Sequence, residues 1–155
     1  MDPRPRADVE AGVTSTDGLA GIPKILYACL SGAAGEPRDW DRFRSLFAPD
    51  ARLVPLRRAP SGGAEPEIHD VEGYVRSREG IFRARAFYET ETGQRVDVWR
   101  RAAHILSSYE SRRDPRGPAF LAGTNSFQLF HDGAGWRIVS LFWDNGSDDV
   151  LAPTS

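Results

Sequence analysis

The amino-acid sequence predicts an α+β domain in which helices cover one face of a curved antiparallel sheet. Apolar residues recur at helical spacing before Ala86 and alternate with polar residues after it. Helices followed by a run of strands are typical of α+β architecture. The length of 155 residues suits one core. We therefore expect one domain over 18–147, with a flexible N-terminal tail at 1–17 and a C-terminal tail at 148–155.

The first helix is predicted from apolar residues three and four positions apart. Pro23 is compatible with it because Pro23 falls in the first turn, and the stretch "SGAAGEP" should end it. The residues of its buried stripe are Leu19, Ile22, Leu26, Cys29 and Leu30.

Two further helices follow. Asp39 is a predicted N-cap for a short helix whose stripe is Trp40, Phe43 and Phe47. A third helix is expected to begin near Asp70, with its inward positions at Val71, Tyr74, Val75, Ile81 and Phe82.

The strands are predicted from alternation and from turn residues. "ARLVPL" indicates a first strand, and "RRAPSGGAEPEIH" a long loop. Four long antiparallel strands then follow: "AFYETETG", "RVDVWRRAAHILSSYESR", "AFLAGTNSFQLFHD" and "GWRIVSLFWD".

Composition narrows the class of function. A net charge of -2 gives no electrostatic reason to expect a nucleic-acid partner. No apolar run is long enough for a membrane span. The single Cys29 excludes an internal disulfide and suits a cytoplasmic protein. His69, His104 and His131 share no ligand spacing, so we expect no metal, and nothing in the sequence calls for a cofactor.

Three local motifs carry a resemblance to a known superfamily: "DWDRF…LFAPDA", "AHILSSYES" and the final "GWRI". With the order of elements, they make residues 19 to 146 similar to the nuclear transport factor 2-like superfamily, which includes ketosteroid isomerases and SnoaL-type polyketide cyclases. The resemblance implies a cone-shaped domain with a cavity between helices and sheet, often dimeric through the outer sheet face.

The enzyme members of that superfamily can be compared residue by residue. The place of the ketosteroid isomerase base falls near Pro55, which cannot abstract a proton. Tyr27 lies where that family has its oxyanion-donating tyrosine. The aspartate and arginine set of limonene epoxide hydrolase has no convincing counterpart.

Side chains alternate between the two faces of a strand, so the parity of residue numbers predicts which residues line the cavity. We expect Ala103, Ile105, Ser107 and Tyr109 to point inward, and likewise Gly123, Asn125, Phe127 and Leu129. The last strand is apolar on both faces, so we expect helices on one side and a second copy of the chain on the other. The predicted homodimer interface is Val139, Leu141 and Trp143.

Several residues are candidates for chemistry or binding. His104 and Asp144 are candidate acid or base groups, although a structural His104 bonded to Glu110 or Gln128 is an alternative. Glu89 and Glu91 share a face, as an acid pair at a cavity mouth or as charges on a solvated edge strand. The predicted ligand-binding residues are Tyr27, Trp40, Phe82, Tyr88, Tyr109, Asn125 and Phe127.

Three functions stay open on the sequence. The first is a domain that binds a small apolar organic ligand, with catalysis left undecided. The second is a cyclase, dehydratase or isomerase acting on a carbonyl substrate by acid/base catalysis. The third is a non-catalytic interaction module whose cavity its own side chains fill. A cavity carboxylate or imidazole with a perturbed pKa would favour the enzyme.

Overall fold

The structure is a computed structural model that describes residues 15–144. Of the two predicted tails, all but residues 15–17 lies outside the described residues. The elements in chain order are α1 Ile22–Leu30, α2 Trp40–Ser45, β1 Phe47–Arg58, β2 Ala64–Pro66, α3 Val71–Ala84, β3 Tyr88–Trp99, β4 Ala102–Arg112, β5 Ala119–His131 and β6 Trp136–Asp144.

The six strands form one curved sheet in the order β2-β1-β6-β5-β4-β3. All neighbouring pairs are antiparallel except β1 and β6, which run parallel. The α+β class is confirmed, but the sheet is mixed and not purely antiparallel. The reason is that β1 meets β6 through no hairpin, so no tight turn sets its direction.

The helices follow the predicted stripes. The whole stripe of α1 is buried, and its proline lies in the first turn. Asp39 caps α2 by accepting a hydrogen bond from the Arg42 N–H (3.1 Å), and Asp70 caps α3 through the Gly73 N–H (2.7 Å). Phe47 is buried as expected, but it begins β1 instead of ending α2.

The hairpin of β3 and β4 turns later than predicted. The sequence pattern placed the break at Gly93, yet the strands continue to Trp99 and turn at Arg100 and Arg101. Arg100 adopts a φ of 54°, which is the conformation that glycine or asparagine normally supplies in such turns. Gly93 marks an irregularity in the strand pairing next to Glu91.

Strand parity is confirmed on β4 and β5. The predicted inward set on β4 is buried, and on β5 Asn125, Phe127 and Leu129 are buried beneath the helices. The apolar residues of both sets join the helix stripes in one core.

The last strand corrects the predicted dimer interface. β5 pairs Gln128 with Ser140 but Leu129 with Ile138, so Val139 is an extra residue in β6. Such a bulge reverses the sheet face to which each later side chain of the strand points. Leu141 and Trp143 therefore face the interior and are buried within the single chain. Of the predicted interface only Val139 is exposed, and its exposed neighbour on this strand is Phe142.

Candidate functional site

A small pocket lies between the helices and the inner face of the sheet. Its volume is about 30 Å³, and it is only partly enclosed. Its polar members are Arg78, Glu89 and Asn125. The apolar and aromatic lining residues are Leu26, Leu30, Tyr74, Phe82, Phe87, Tyr109, Leu121, Leu141 and Trp143.

Glu89 is the carboxyl group of the pocket. It lies near the start of β3, and its Oε2 accepts a hydrogen bond from the Ser111 hydroxyl on β4 (3.3 Å). Burial raises its pKa to about 8, and the Ser111 hydrogen bond and the nearby Arg78 charge only partly oppose that rise. The side chain is therefore mostly protonated near neutral pH and can still release its proton under mildly basic conditions.

The edge of β3 is covered where Glu89 lies. The segment after α1 bridges this edge through Gly32, whose N–H donates to the Phe87 carbonyl (2.8 Å) and whose carbonyl accepts from the Phe87 N–H (3.0 Å). The Glu89 N–H donates to the Ser31 hydroxyl (3.0 Å). This contact places the end of α1 over the strand, so Glu89 faces a pocket and is not part of a solvated edge.

Glu91 serves a different purpose from Glu89. Its Oε2 accepts hydrogen bonds from the Ser107 hydroxyl (2.6 Å) and the Gln94 amide (2.9 Å). The two glutamates share a strand face as predicted, but they do not act as a pair: Glu89 lines the pocket and Glu91 ends a hydrogen-bonded chain.

That chain has a defined direction. Ser107 has one hydroxyl proton and gives it to Glu91, so its oxygen must accept the proton of Tyr27 at 2.7 Å. Asn125 donates its amide N–H to the Tyr27 oxygen (3.1 Å). Burial strongly raises the pKa of Tyr27. Its proton is committed to Ser107, so Tyr27 is not positioned as the oxyanion donor that the resemblance implied.

The predicted ligand-binding residues divide into two groups. Phe82, Tyr109 and Asn125 line the pocket, and Tyr27 supports it from behind through Asn125. The others lie outside it.

Each of the outlying residues has another place in the fold. Trp40 stacks on Phe82, with ring centroids 6.1 Å apart, and lines a surface cleft. Phe127 is completely buried in the core. Tyr88, the first residue of β3, points to the face opposite Glu89.

The two predicted acid/base residues are also outside the pocket. His104 projects from the outer sheet face, where its Nε2 lies 2.9 Å from the Ser126 hydroxyl. The contact supports the alternative in which His104 has a structural role, but its hydrogen-bond partner is Ser126 and neither Glu110 nor Gln128. Asp144 is exposed at the end of β6. Strand alternation places both on the face opposite Ile105 and Trp143.

Arg78 and Glu89 are the polar residues of the pocket that the sequence reasoning did not select as its site. Glu89 was considered only as one of a pair. Arg78 lies four positions from both Tyr74 and Phe82, which places it on the inward stripe of α3. That spacing was the available signal.

Within residues 15–144, no group of three or more histidine, cysteine, aspartate or glutamate residues could hold a metal ion. No helix in the same range is long and apolar enough to cross a membrane.

Comparisons with known proteins identify the fold. No protein-family model matches the sequence, and no curated protein matches it. A protein of unknown function with a cystatin-like fold from Nostoc punctiforme PCC 73102 superposes with a TM-score of 0.64 at 12% identity, over 86% of this chain and 93% of that chain.

Two solved proteins described as NTF2-like are also similar. The one from Cytophaga hutchinsonii gives a TM-score of 0.61 at 11% identity, over 85% of this chain and 98% of that chain. The one from Methylobacillus flagellatus KT, of unknown function, gives 0.55 at 15% identity, over 86% and 96%.

These matches and the observed topology define a class of α+β domains in which a curved sheet wraps around its helices. Within that class, the chain has the nuclear transport factor 2-like fold, as the resemblance of its sequence motifs indicated.

Proposed function

We propose that this domain binds a small organic molecule in the inner pocket and transfers a proton to or from it through Glu89. The observation that carries the proposal is a carboxyl group with a pKa raised to about 8 in a mostly apolar pocket. A pKa close to the working pH is what general acid/base catalysis requires, because both protonation states are then accessible.

The neighbours of Glu89 suit chemistry at a carbonyl group. Isomerisation, dehydration and cyclisation of carbonyl compounds all move a proton at the carbon beside the carbonyl, and negative charge develops on its oxygen. Arg78 and the Asn125 amide line the same pocket and are donors that can stabilise that charge.

Proton exchange in heavy water tests this proposal without a known substrate. A panel of small ketones and keto acids would be incubated with the protein, and loss of the signals of the protons beside the carbonyl would be followed by NMR. We expect exchange faster than in buffer for at least one compound, and its loss in Glu89→Gln. The matched control is Glu110→Gln, which removes a carboxylate from the outer face.

A second candidate function rests on the size of the pocket. Ligand sites usually enclose roughly 300–1,000 Å³, whereas this one has about 30 Å³. A filled interior is what a non-catalytic interaction module would have. If no compound in the panel exchanges or shifts the NMR signals of pocket residues, the acid/base proposal is wrong and the module is favoured.

We also propose that the domain forms a homodimer through its outer sheet face. The support is the exposure of Val139 (45%) and Phe142 (42%) on that face. A cytoplasmic location is a further proposal, supported by a single cysteine that is buried and has no partner for an internal disulfide.

A further inference from the structure

Arg78 occupies a position on α3 where its neighbours are apolar. It is only 3% exposed and lies between Tyr74 and Phe82 on the inward stripe of the helix. Arginine remains charged in proteins, and a buried charge is costly unless it is paired and fully hydrogen-bonded. The position therefore calls for partners that satisfy the guanidinium.

The partners of Arg78 within the described residues are few. Its Nη1 donates to the Ser77 hydroxyl at 3.3 Å, and its guanidinium carbon lies 4.7 Å from the centre of the Tyr74 ring. A side-chain hydrogen bond from Arg78 to Tyr74 also acts against the burial that raises the pKa of Tyr74. Its Nε is buried and has no hydrogen-bond partner in residues 15–144. Glu89 lines the same pocket, but no ion pair joins it to Arg78 in that range. The cation is thus incompletely satisfied.

Arg38 shows how this fold satisfies a buried arginine that has a structural role. Its exposed fraction is 9%, and its guanidinium donates to the carbonyls of Leu30, Gly32, Ala33 and Glu36 at 2.6–3.1 Å. Those contacts tie down the loop after α1. Among residues 15–144 no such set of carbonyls surrounds Arg78, whose side chain lines the pocket.

The pocket beside Arg78 matches a small polar group. Its volume of about 30 Å³ holds roughly two water-sized atoms, at about 10–15 Å³ each. The two oxygens of a carboxylate have that size, whereas a ring does not fit without movement of side chains. We infer that the ligand of this pocket is an organic acid whose carboxylate is bound by Arg78, with its remainder directed toward the opening.

This inference rests on the proposed binding of a small molecule at the same site. A carboxylate would supply the negatively charged partner that the Arg78 guanidinium needs. Arginine pairs with planar oxyanions through directed N–H groups. Glu89 in its protonated form can donate a hydrogen bond to the bound acid. The other titratable groups around Glu89 are Arg78 and Tyr74 on α3, Tyr27 on α1, Tyr109 on β4 and Glu91 on its own strand.

The test compares acids with their neutral amides. Propionate and propionamide, pyruvate and pyruvamide, and benzoate and benzamide would be titrated into the full chain at pH 6.5. Binding would be followed by NMR, including the Nε–H signal of Arg78. We expect at least one acid to bind about tenfold or more tightly than its amide and to shift that signal, because a hydrogen bond to a charged group is worth a tenfold change or more.

Variants on α3 separate the roles. Arg78→Gln and Arg78→Lys should weaken the acid about tenfold or more, with Lys the milder because it keeps the charge but loses the planar guanidinium. Arg76→Gln is the matched control, since Arg76 is exposed on the same helix. Circular dichroism would check that each variant folds, and the wild-type signal of Arg78 gives a result if one does not.

The outcomes distinguish this inference from the proposed function. If acid and amide bind equally and Arg78→Gln changes neither, the pocket binds small molecules but the carboxylate assignment is wrong. If no acid or amide binds at millimolar concentration, the carboxylate assignment is overturned, and the exchange assay with ketones decides the proposed function separately.

Discussion

Replacing Glu89 with glutamine should change how the stability of this protein depends on pH. Glutamine has nearly the same shape, and its side-chain oxygen can still accept the Ser111 hydroxyl at the position now 3.3 Å away. The substitution therefore removes the titration of residue 89 while leaving its packing almost intact.

The sign follows from the raised pKa. Unfolded chains titrate this group at about 4.5, and the folded protein at about 8. Between these values the folded state holds a proton that the unfolded state has released, so the free energy of unfolding of the wild type falls as pH rises. Below about 4.5 both states are protonated, and above about 8 both are ionised, so the contribution is constant outside this window.

The magnitude can be worked from the same values. Each pKa unit corresponds to about 1.4 kcal/mol, so a shift from 4.5 to about 8 lowers the free energy of unfolding by at most about 5 kcal/mol across the window. Glu89→Gln lacks this term. Relative to wild type, it should be close to neutral near pH 4.5 and increasingly stabilised toward pH 8.

Urea denaturation followed by tryptophan fluorescence, at intervals from pH 4.5 to 9, measures the difference. Titrations common to both proteins cancel when the two curves are subtracted. Glu110→Gln should keep the downward slope that Glu89 causes, because Glu89 is intact in that variant. Parallel curves for wild type and Glu89→Gln between pH 5 and 8 would show that folding does not raise the pKa of Glu89.

Three further predictions concern the interior and the outer face. Tyr27→Phe should lower the free energy of unfolding by about 1–3 kcal/mol, because Ser107 and Asn125 lose their common hydrogen-bond partner. The control Tyr88→Phe should change that free energy little. Equal effects of the two substitutions in urea denaturation would refute the role of the hydrogen-bonded chain. Gly123→Ala should destabilise the folded protein, because an added Cβ would lie 2.5 Å from the Tyr109 hydroxyl oxygen. Gly80→Ala in α3 meets no atom within 4 Å and should stabilise the protein by about 0.4–1 kcal/mol. Shifts of the thermal unfolding midpoint with the same sign for both variants would contradict the packing of Tyr109 over Gly123. In sedimentation equilibrium at micromolar concentration we expect a dimer, and Phe142→Arg should convert it to a folded monomer. Leu141→Arg should instead unfold the chain, because Leu141 is 3% exposed and the new charge would be buried. A wild-type protein that stays monomeric at high concentration would exclude the dimer.

Local patterns were sufficient for much of the fold. The stripe of α1, the capping aspartates at 39 and 70, and the alternation of β4 and β5 depend on spacing along one segment, which is visible in the sequence. The parity of β4 and β5 correctly predicted that Tyr109 and Asn125 face the interior. Asn125 was thereby placed in the pocket from sequence alone.

Other features required contacts between distant segments. The bulge at Val139 is defined by how β6 pairs with β5, and no alternation within β6 could show that Leu141 turns inward. The parallel pairing of β1 with β6 is likewise a tertiary choice.

The candidate site itself was decided by the tertiary structure. Glu89 looks like a residue of a charged edge strand until the segment at Gly32 covers that edge. Its pKa rises because the helices and the sheet together exclude water, and desolvation is a property of the whole enclosure and not of the residue. Spacing alone placed Arg78 on the inward face of α3, but only the packed structure shows that its Nε is buried without a partner.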